Sequence, residues 1–139
     1  FNPIKKISSF KEKREIYAHT NLFRLMFSIE LQKRFNKKSV PIKSIACHPG
    51  VAKSQLGRYF FLAKLIYALP VMASSREGVK SIIFSCINQN LNGGEFVGLD
   101  TKRQHRGNPT IVKPNPIVEI EDQRNKLWQM TSEKCGIDL

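Results

Sequence analysis

Acidic side chains are scarce in this 139-residue sequence: 11 Asp and Glu stand against 23 Lys and Arg, a formal net charge of +12. That imbalance invites anionic partners, such as nucleic acid, an acidic membrane or a phosphorylated cofactor. The basic residues cluster at 5–14, 33–38 and 102–106, and no cluster carries a nucleic-acid-binding motif. Solvated surface charge is the first reading, phosphate or cofactor attraction the second and nucleic acid the last. Cysteine is scarce too. Cys47, Cys86 and Cys135 are odd in number and widely spaced, with no Cys-x-x-Cys or Cys/His ligand pattern, although Cys47 and His48 are adjacent. That excludes a disulfide framework and a zinc motif, predicts no metal ligands, and points to buried, reduced thiols in a cytoplasmic protein.

Long hydrophobic runs are missing as well. The most apolar stretch, 59–73, is 15 residues long and contains Lys64, too short to span a bilayer. Packing or a pocket wall is the first reading there, and contact with an intracellular membrane surface the second. The N-terminus has no signal-peptide pattern. The chain opens on Phe1 rather than Met, which reads as a fragment, a processed product or an incomplete reading frame. No internal repeat is visible. Hydrophobic residues make up 41% and charged residues 24%, the balance of a folded domain rather than a disordered chain.

The pattern along the chain predicts a loop over 1–14, with Pro3 and paired serines, then a helix over 16–36. Leu22, Leu25, Met26 and Ile29 mark one face of that helix and Phe23, Phe27 and Leu31 a neighbouring one, so burial on more than one side is expected. A strand is expected over 42–48, ended by Pro49-Gly50. Helices are expected within 60–88, split by Pro70, the second opening on the capping box Ser74-x-x-Glu77 with Val79, Ile82, Ile83 and Cys86 on one face. A short strand over 95–98, an irregular segment over 99–117 and a helix over 120–135 anchored by Leu127, Trp128 and Met130 complete the reading. This order predicts an α/β fold with a parallel pair and a right-handed crossover. Two parallel strands do not make a stable sheet alone, so part of the sheet is expected to be missing or supplied by a partner.

The informative residues are Tyr17-Ala18-His19-Thr20-Asn21-Leu22, Glu30-Leu31-Gln32-Lys33-Arg34-Phe35, then His48-Pro49-Gly50-Val51 with Ser54-Gln55-Leu56. Gly94-Glu95-Phe96-Val97-Gly98, Arg106-Gly107-Asn108-Pro109 and Lys126-Leu127-Trp128 follow. Over nearly its whole length the chain resembles the short-chain dehydrogenase/reductase superfamily, in the branch of retinol-dehydrogenase-like and WW-domain-oxidoreductase-like proteins. There the pattern is Tyr-x-x-Ser-Lys, a Glu-Leu-Gln-Arg-Arg-like helix end, and His-Pro-Gly-Val-x-x-Thr-x-Leu. The resemblance implies that 1–139 is the C-terminal portion of one such domain. It would then be half of a Rossmann-type doubly wound parallel sheet, with about two strands and four helices in an incomplete sheet.

The resemblance also implies an NAD- or NADP-dependent oxidoreductase acting on a small carbonyl or alcohol, with Tyr17 as the proton donor or acceptor. It implies cofactor contacts from Tyr17, Asn21, Pro49, Gly50, Val51 and Ser54, and places 99–113 near the substrate mouth. A phenol titrates near 10. In the family a lysine one helical turn on stabilises the phenolate; at about 4 Å its charge is worth about 4 kcal/mol at an effective dielectric near 20, or about 3 pKa units. Here that position is Asn21, which can bind a ribose hydroxyl but carries no charge, and Thr20 replaces the usual serine. No Gly-rich dinucleotide fingerprint is present, and neither Ser8 nor Ser9 matches the family's catalytic serine. The chain is therefore expected to be inactive as it stands. The alternatives are a non-catalytic remnant or interaction module, self-associating through the 16–36 helix or an exposed strand edge, and a basic nucleic-acid module.

Overall fold

The computed structural model describes residues 9–52 and 73–137. Helix α1 spans Phe10–Lys37. Ser9 caps it: its hydroxyl accepts from the Glu12 N–H at 3.1 Å, and the Glu12 carboxylate accepts from the Ser9 N–H at 3.2 Å. The reciprocal pair satisfies open N–H groups of the first turn. It also corrects the expected loop over 1–14 in its second part, since the helix has begun by residue 10; residues 1–8 lie outside the described residues. At the other end Ser39 takes a left-handed φ of 52°, and the Val40 N–H reaches back to the Phe35 carbonyl at 2.9 Å. That six-to-one bond closes the helix as a Schellman turn.

Strand β1 is only Ala46–Cys47 and pairs parallel with β2, Phe96–Leu99. The expected strand over 42–48 is shortened: ahead of Ala46 the Ser44 carbonyl still accepts from the Gly94 N–H at 2.7 Å, but the Ser44 N–H goes to a side chain. The Gln32 amide oxygen accepts from the Ser44 N–H at 2.6 Å, so that group does not enter a ladder. Helix α2, Ser75–Ile87, lies in the connection between β1 and β2 and packs on the sheet. Ser74 and Glu77 form its capping box. The part of the predicted helical region over 60–69, and the apolar stretch 59–72, lie outside the described residues.

A third strand corrects the irregular reading of 99–117. Strand β3, Pro109–Ile111, pairs antiparallel with β2 in the order β1-β2-β3. Pro109 reads as a breaker in the sequence, yet at the start of an edge strand a residue without an N–H is tolerated. The loop 100–108 between them is closed by Asp100, whose carboxylate accepts from the Asn108 N–H at 2.9 Å. A 3-10 turn at Pro116–Glu119 leads into helix α3, Glu121–Cys135. The fold is therefore α/β, with three helices and a small mixed sheet among the described residues.

The core sits where α1, α3, the 3-10 turn and β2 meet. Met26, Leu91, Val97, Leu99, Val118 and Trp128 are buried. Trp128 stacks on Phe27 at 4.9 Å between ring centres, and the Arg34 guanidinium lies 4.3 Å over the indole. Three expectations about burial are corrected. Met130 is exposed, the α2 face of Val79, Ile82 and Ile83 is exposed as well, and the thiols of Cys47, Cys86 and Cys135 lie on exposed residues rather than in the core.

Candidate functional site

Tyr17 and Asn21 stand one turn apart on α1, and both are exposed, Tyr17 at 67%. Residues 17, 21, 28 and 32 fall within about 60° of one another around a helix of 3.6 residues per turn. The last two show which way this stripe faces. Ser28 Oγ lies 2.9 Å from Ser44 Oγ, and Gln32 Oε1 accepts from the Ser44 N–H. The stripe thus faces the segment that leads into β1. Tyr17 continues it, about 16 Å further toward the N-terminus at 1.5 Å per residue. Among the described residues the Tyr17 hydroxyl has no hydrogen-bond partner. Asn21 Oδ1 accepts a long bond, 3.5 Å, from Arg24. The Thr20 hydroxyl is spent on the Ile16 carbonyl at 2.8 Å.

Gln32 is a site-shaping residue that sequence reasoning misses. Buried at 5% exposure, it also donates to Asn36 Oδ1 at 2.7 Å. A Cβ on Gly93 would overlap its amide, so the glycine admits the side chain that fixes the turn of α1 against β1. The only sequence signal is the Glu30-Leu31-Gln32 string, which periodicity treats as a polar surface.

Pro49, Gly50 and Val51 form the turn that ends β1. Gly50 has φ 75°, and a Cβ there would lie 2.6 Å from both the His105 carbonyl oxygen and Leu99 Cδ1. Glycine is needed here for the chain's own packing. The Val51 N–H donates to the His105 carbonyl at 3.0 Å, and the Gly50 N–H donates to His48 Nδ1 at 3.1 Å. Partial desolvation, with the like charge of His105 second, holds His48 below its ordinary 6.5. At neutral pH its Nδ1 is thereby left as an acceptor, a structural role. No described hydrogen bond or ion pair joins this turn to Tyr17 or Asn21, and Ser54 lies outside the described residues. No group of three or more His, Cys, Asp and Glu side chains able to hold a metal occurs among the described residues.

The 100–108 loop is tied to the rest by Arg106, whose Nη2 lies 2.9 Å from Glu77 Oε1. The Ser74 backbone N–H and then Arg106 hold the Glu77 carboxyl well below its ordinary 4.5, at about 2. A carboxyl depressed on folding contributes stability above its unfolded pKa and loses it as pH falls through the folded value. The loop's attachment is therefore expected to be complete above about pH 5 and to loosen as pH falls from about 4.5 toward about 2. Amide exchange at Ser74 and across 100–108, followed from about pH 6 to about pH 2, measures it. Glu77→Gln should flatten the profile.

No family model matches the chain. Curated relatives do. Human retinol dehydrogenase 12 is 29% identical over 125 residues and the bovine protein 28%, each match covering 87% of this chain and 36% of the relative. Mouse retinol dehydrogenase 13 is 24% identical over 136 residues, covering 88% of this chain. The chain is a relative of the retinol-dehydrogenase-like short-chain dehydrogenases/reductases. It spans about a third of the length of the curated relatives it matches. A crystal structure of an uncharacterized protein from Mycobacterium paratuberculosis shares the fold, with a TM-score of 0.57 at 21% identity. That match covers 81% of this chain and 35% of the other. The described residues hold Tyr17 and the Pro49-Gly50 turn on separate elements, joined through Gln32, Ser44 and β1.

Proposed function

We propose that this chain is the C-terminal part of a nicotinamide-dependent oxidoreductase fold for a carbonyl/alcohol pair, and that it lacks the means to run the reaction as it stands. The observation that carries the reading is the single α1 stripe. It presents the Tyr17 hydroxyl and the Asn21 amide, exposed and side by side, on the continuation of the face that packs toward β1. Similarity to retinol dehydrogenases over 87% of the chain supports it.

The side chains present fit one end of a dinucleotide. A phenol and a carboxamide one turn apart offer donors and acceptors to ribose hydroxyls. The diphosphate end has no seat among the described residues. Helix N-termini are the usual phosphate sites, but those of α1 and α2 are already occupied by their own Glu12 and Glu77 carboxylates, and that of α3 carries Glu121 and Asp122 in its first turn, which repel an anion. When bound, a nicotinamide would supply the hydride chemistry. In this reading Tyr17 would hold the proton, Asn21 would orient a ribose, and Pro49–Val51 would form the wall beyond. Ser54 belongs to the same proposed contact set.

Hydride transfer from NADH or NADPH to retinal and short aldehydes tests the reading. No turnover is expected from this chain. Joined to an intact dinucleotide-binding half, Asn21→Lys should raise kcat by about 10²-fold or more, the size of a general acid–base contribution. Equal rates with and without that substitution would remove the charge argument.

A second reading has its own support. Ile82, Ile83 and Ile87 of α2 are exposed, Ile87 at 71%. Together with Cys86 of α2 and with Ile45 and Cys47 on the β1 side, Ile82 and Ile87 line a cleft of about 520 Å³. An apolar face of this kind suits a non-catalytic interaction module. A chain that binds no cofactor and self-associates in sedimentation would favour it.

A further inference from the structure

The groove between α1 and α3 borders the Tyr17–Asn21 stripe through Arg24, which lies two turns beyond Tyr17 and is bonded to Asn21; its occupancy does not require the proposed reaction. It measures about 390 Å³ and is lined by Thr20, Phe23, Arg24, Phe27, Leu127 and Thr131. That volume is within the usual range of small-molecule sites, about 300–1,000 Å³.

Its chemistry is lopsided. Phe23, Phe27 and Leu127 supply apolar walls. Both threonines spend their hydroxyls on their own helices, Thr20 on the Ile16 carbonyl and Thr131 on the Leu127 carbonyl, each at 2.8 Å. Neither hydroxyl proton is left for a ligand. Phe27 is braced from behind by Trp128 at 4.9 Å, so that wall is rigid, while Phe23 remains 48% exposed. Arg24 is the one charged group of the lining. Its described polar contact is the 3.5 Å bond to Asn21, and no carboxylate lies within ion-pair distance of it among the described residues. An open apolar trough with one available guanidinium at its edge fits a ligand with an apolar body and a carboxylate head. The overall charge of +12 draws the same class of ligand.

We propose that this groove binds a small amphipathic carboxylate, with Arg24 holding the head group and Phe23, Phe27 and Leu127 covering the chain. Trp128 is the only tryptophan of the sequence and touches the groove wall through Phe27, so its fluorescence reports occupancy. The experiment titrates decanoate into the chain, beside decanol and decyltrimethylammonium, for the unaltered sequence, Arg24→Ala, Arg24→Lys and Lys102→Ala.

A saturable change with decanoate is expected. Arg24→Ala should weaken it about tenfold or more, the size of one charge-assisted hydrogen bond. Arg24→Lys should recover part of the loss, and Lys102→Ala should change little. Arg24 is exposed, so circular dichroism should show its variants folded. Filling the trough with Thr131→Phe should abolish the response. Decanol binding as tightly as decanoate overturns the proposal, as do equal losses in Arg24→Ala and Lys102→Ala or the absence of saturation. Dimerisation that blocks the response shows a second copy in the groove and overturns it too.

Discussion

Glu30→Ala is expected to destabilise the fold by about 3–5 kcal/mol, the cost of leaving a buried charge cluster without its counter-ion. The Glu30 side chain is 3% exposed and faces two guanidiniums, Arg34 Nε at 3.2 Å and Arg124 Nε at 3.5 Å. Arg124 is 10% exposed and donates through Nη1 to the Val118 carbonyl at 2.7 Å, so it cannot swing to water without giving up that bond. Removing the carboxylate would leave positive charge on the inner side of α1 in a chain that is already strongly cationic. A loss of that size is a large part of the ~5–15 kcal/mol that holds a domain together. Urea unfolding followed by Trp128 fluorescence measures it. Replacing Glu30 and Arg124 together by leucines should cost much less than the sum of the two single changes, because the pair acts as a unit.

Gly50→Ala should cost about 2–5 kcal/mol, from two sources. A left-handed φ adds about 1–2 kcal/mol for a residue with a Cβ. The overlap with the His105 carbonyl oxygen and Leu99 adds about 1–3 kcal/mol of overpacking. Gly136→Ala separates the two contributions. Gly136 has φ 65° with open space around it, so it should show only the backbone part, about 1–2 kcal/mol. Relief of the Gly50 overlap by moving the loop should appear as faster amide exchange at Val51, whose N–H is bonded to His105. Equal losses at the two glycines would mean that the 100–108 loop yields freely and does not hold the Pro-Gly turn.

The helices are written locally and the sheet is not. Ser74-x-x-Glu77 announces α2 because a capping box is complete within four residues. The same signal, Ser9-x-x-Glu12, is present at α1 and is masked by the polar, basic residues around it. The family relationship is legible because it rests on the residue identities at Tyr17, Pro49, Gly50 and Trp128. The shortening of β1 is not, because it depends on the Gln32 side chain reaching Ser44 across twelve residues. Strand β3 is hidden because Pro109, at the edge of a sheet, does not break the strand that it would break at the centre. Ile82 and Ile83 look like core from their spacing, which records which residues share a helix face and says nothing about what covers it. At the site, Tyr17 and Asn21 share a stripe by periodicity alone. The direction of that stripe comes only with Ser28 and Gln32.

If this stripe and the turn after β1 are one wall of a nicotinamide site, as proposed, titration of NADH and NADPH into the isotopically labelled chain, followed residue by residue by NMR, shows it most directly. Weak binding is expected, with shifts centred on Tyr17, Asn21, Gly50 and Val51, and strengthened by Asn21→Lys. Shifts confined to the basic residues 102–106, or unchanged by Asn21→Lys, would contradict it.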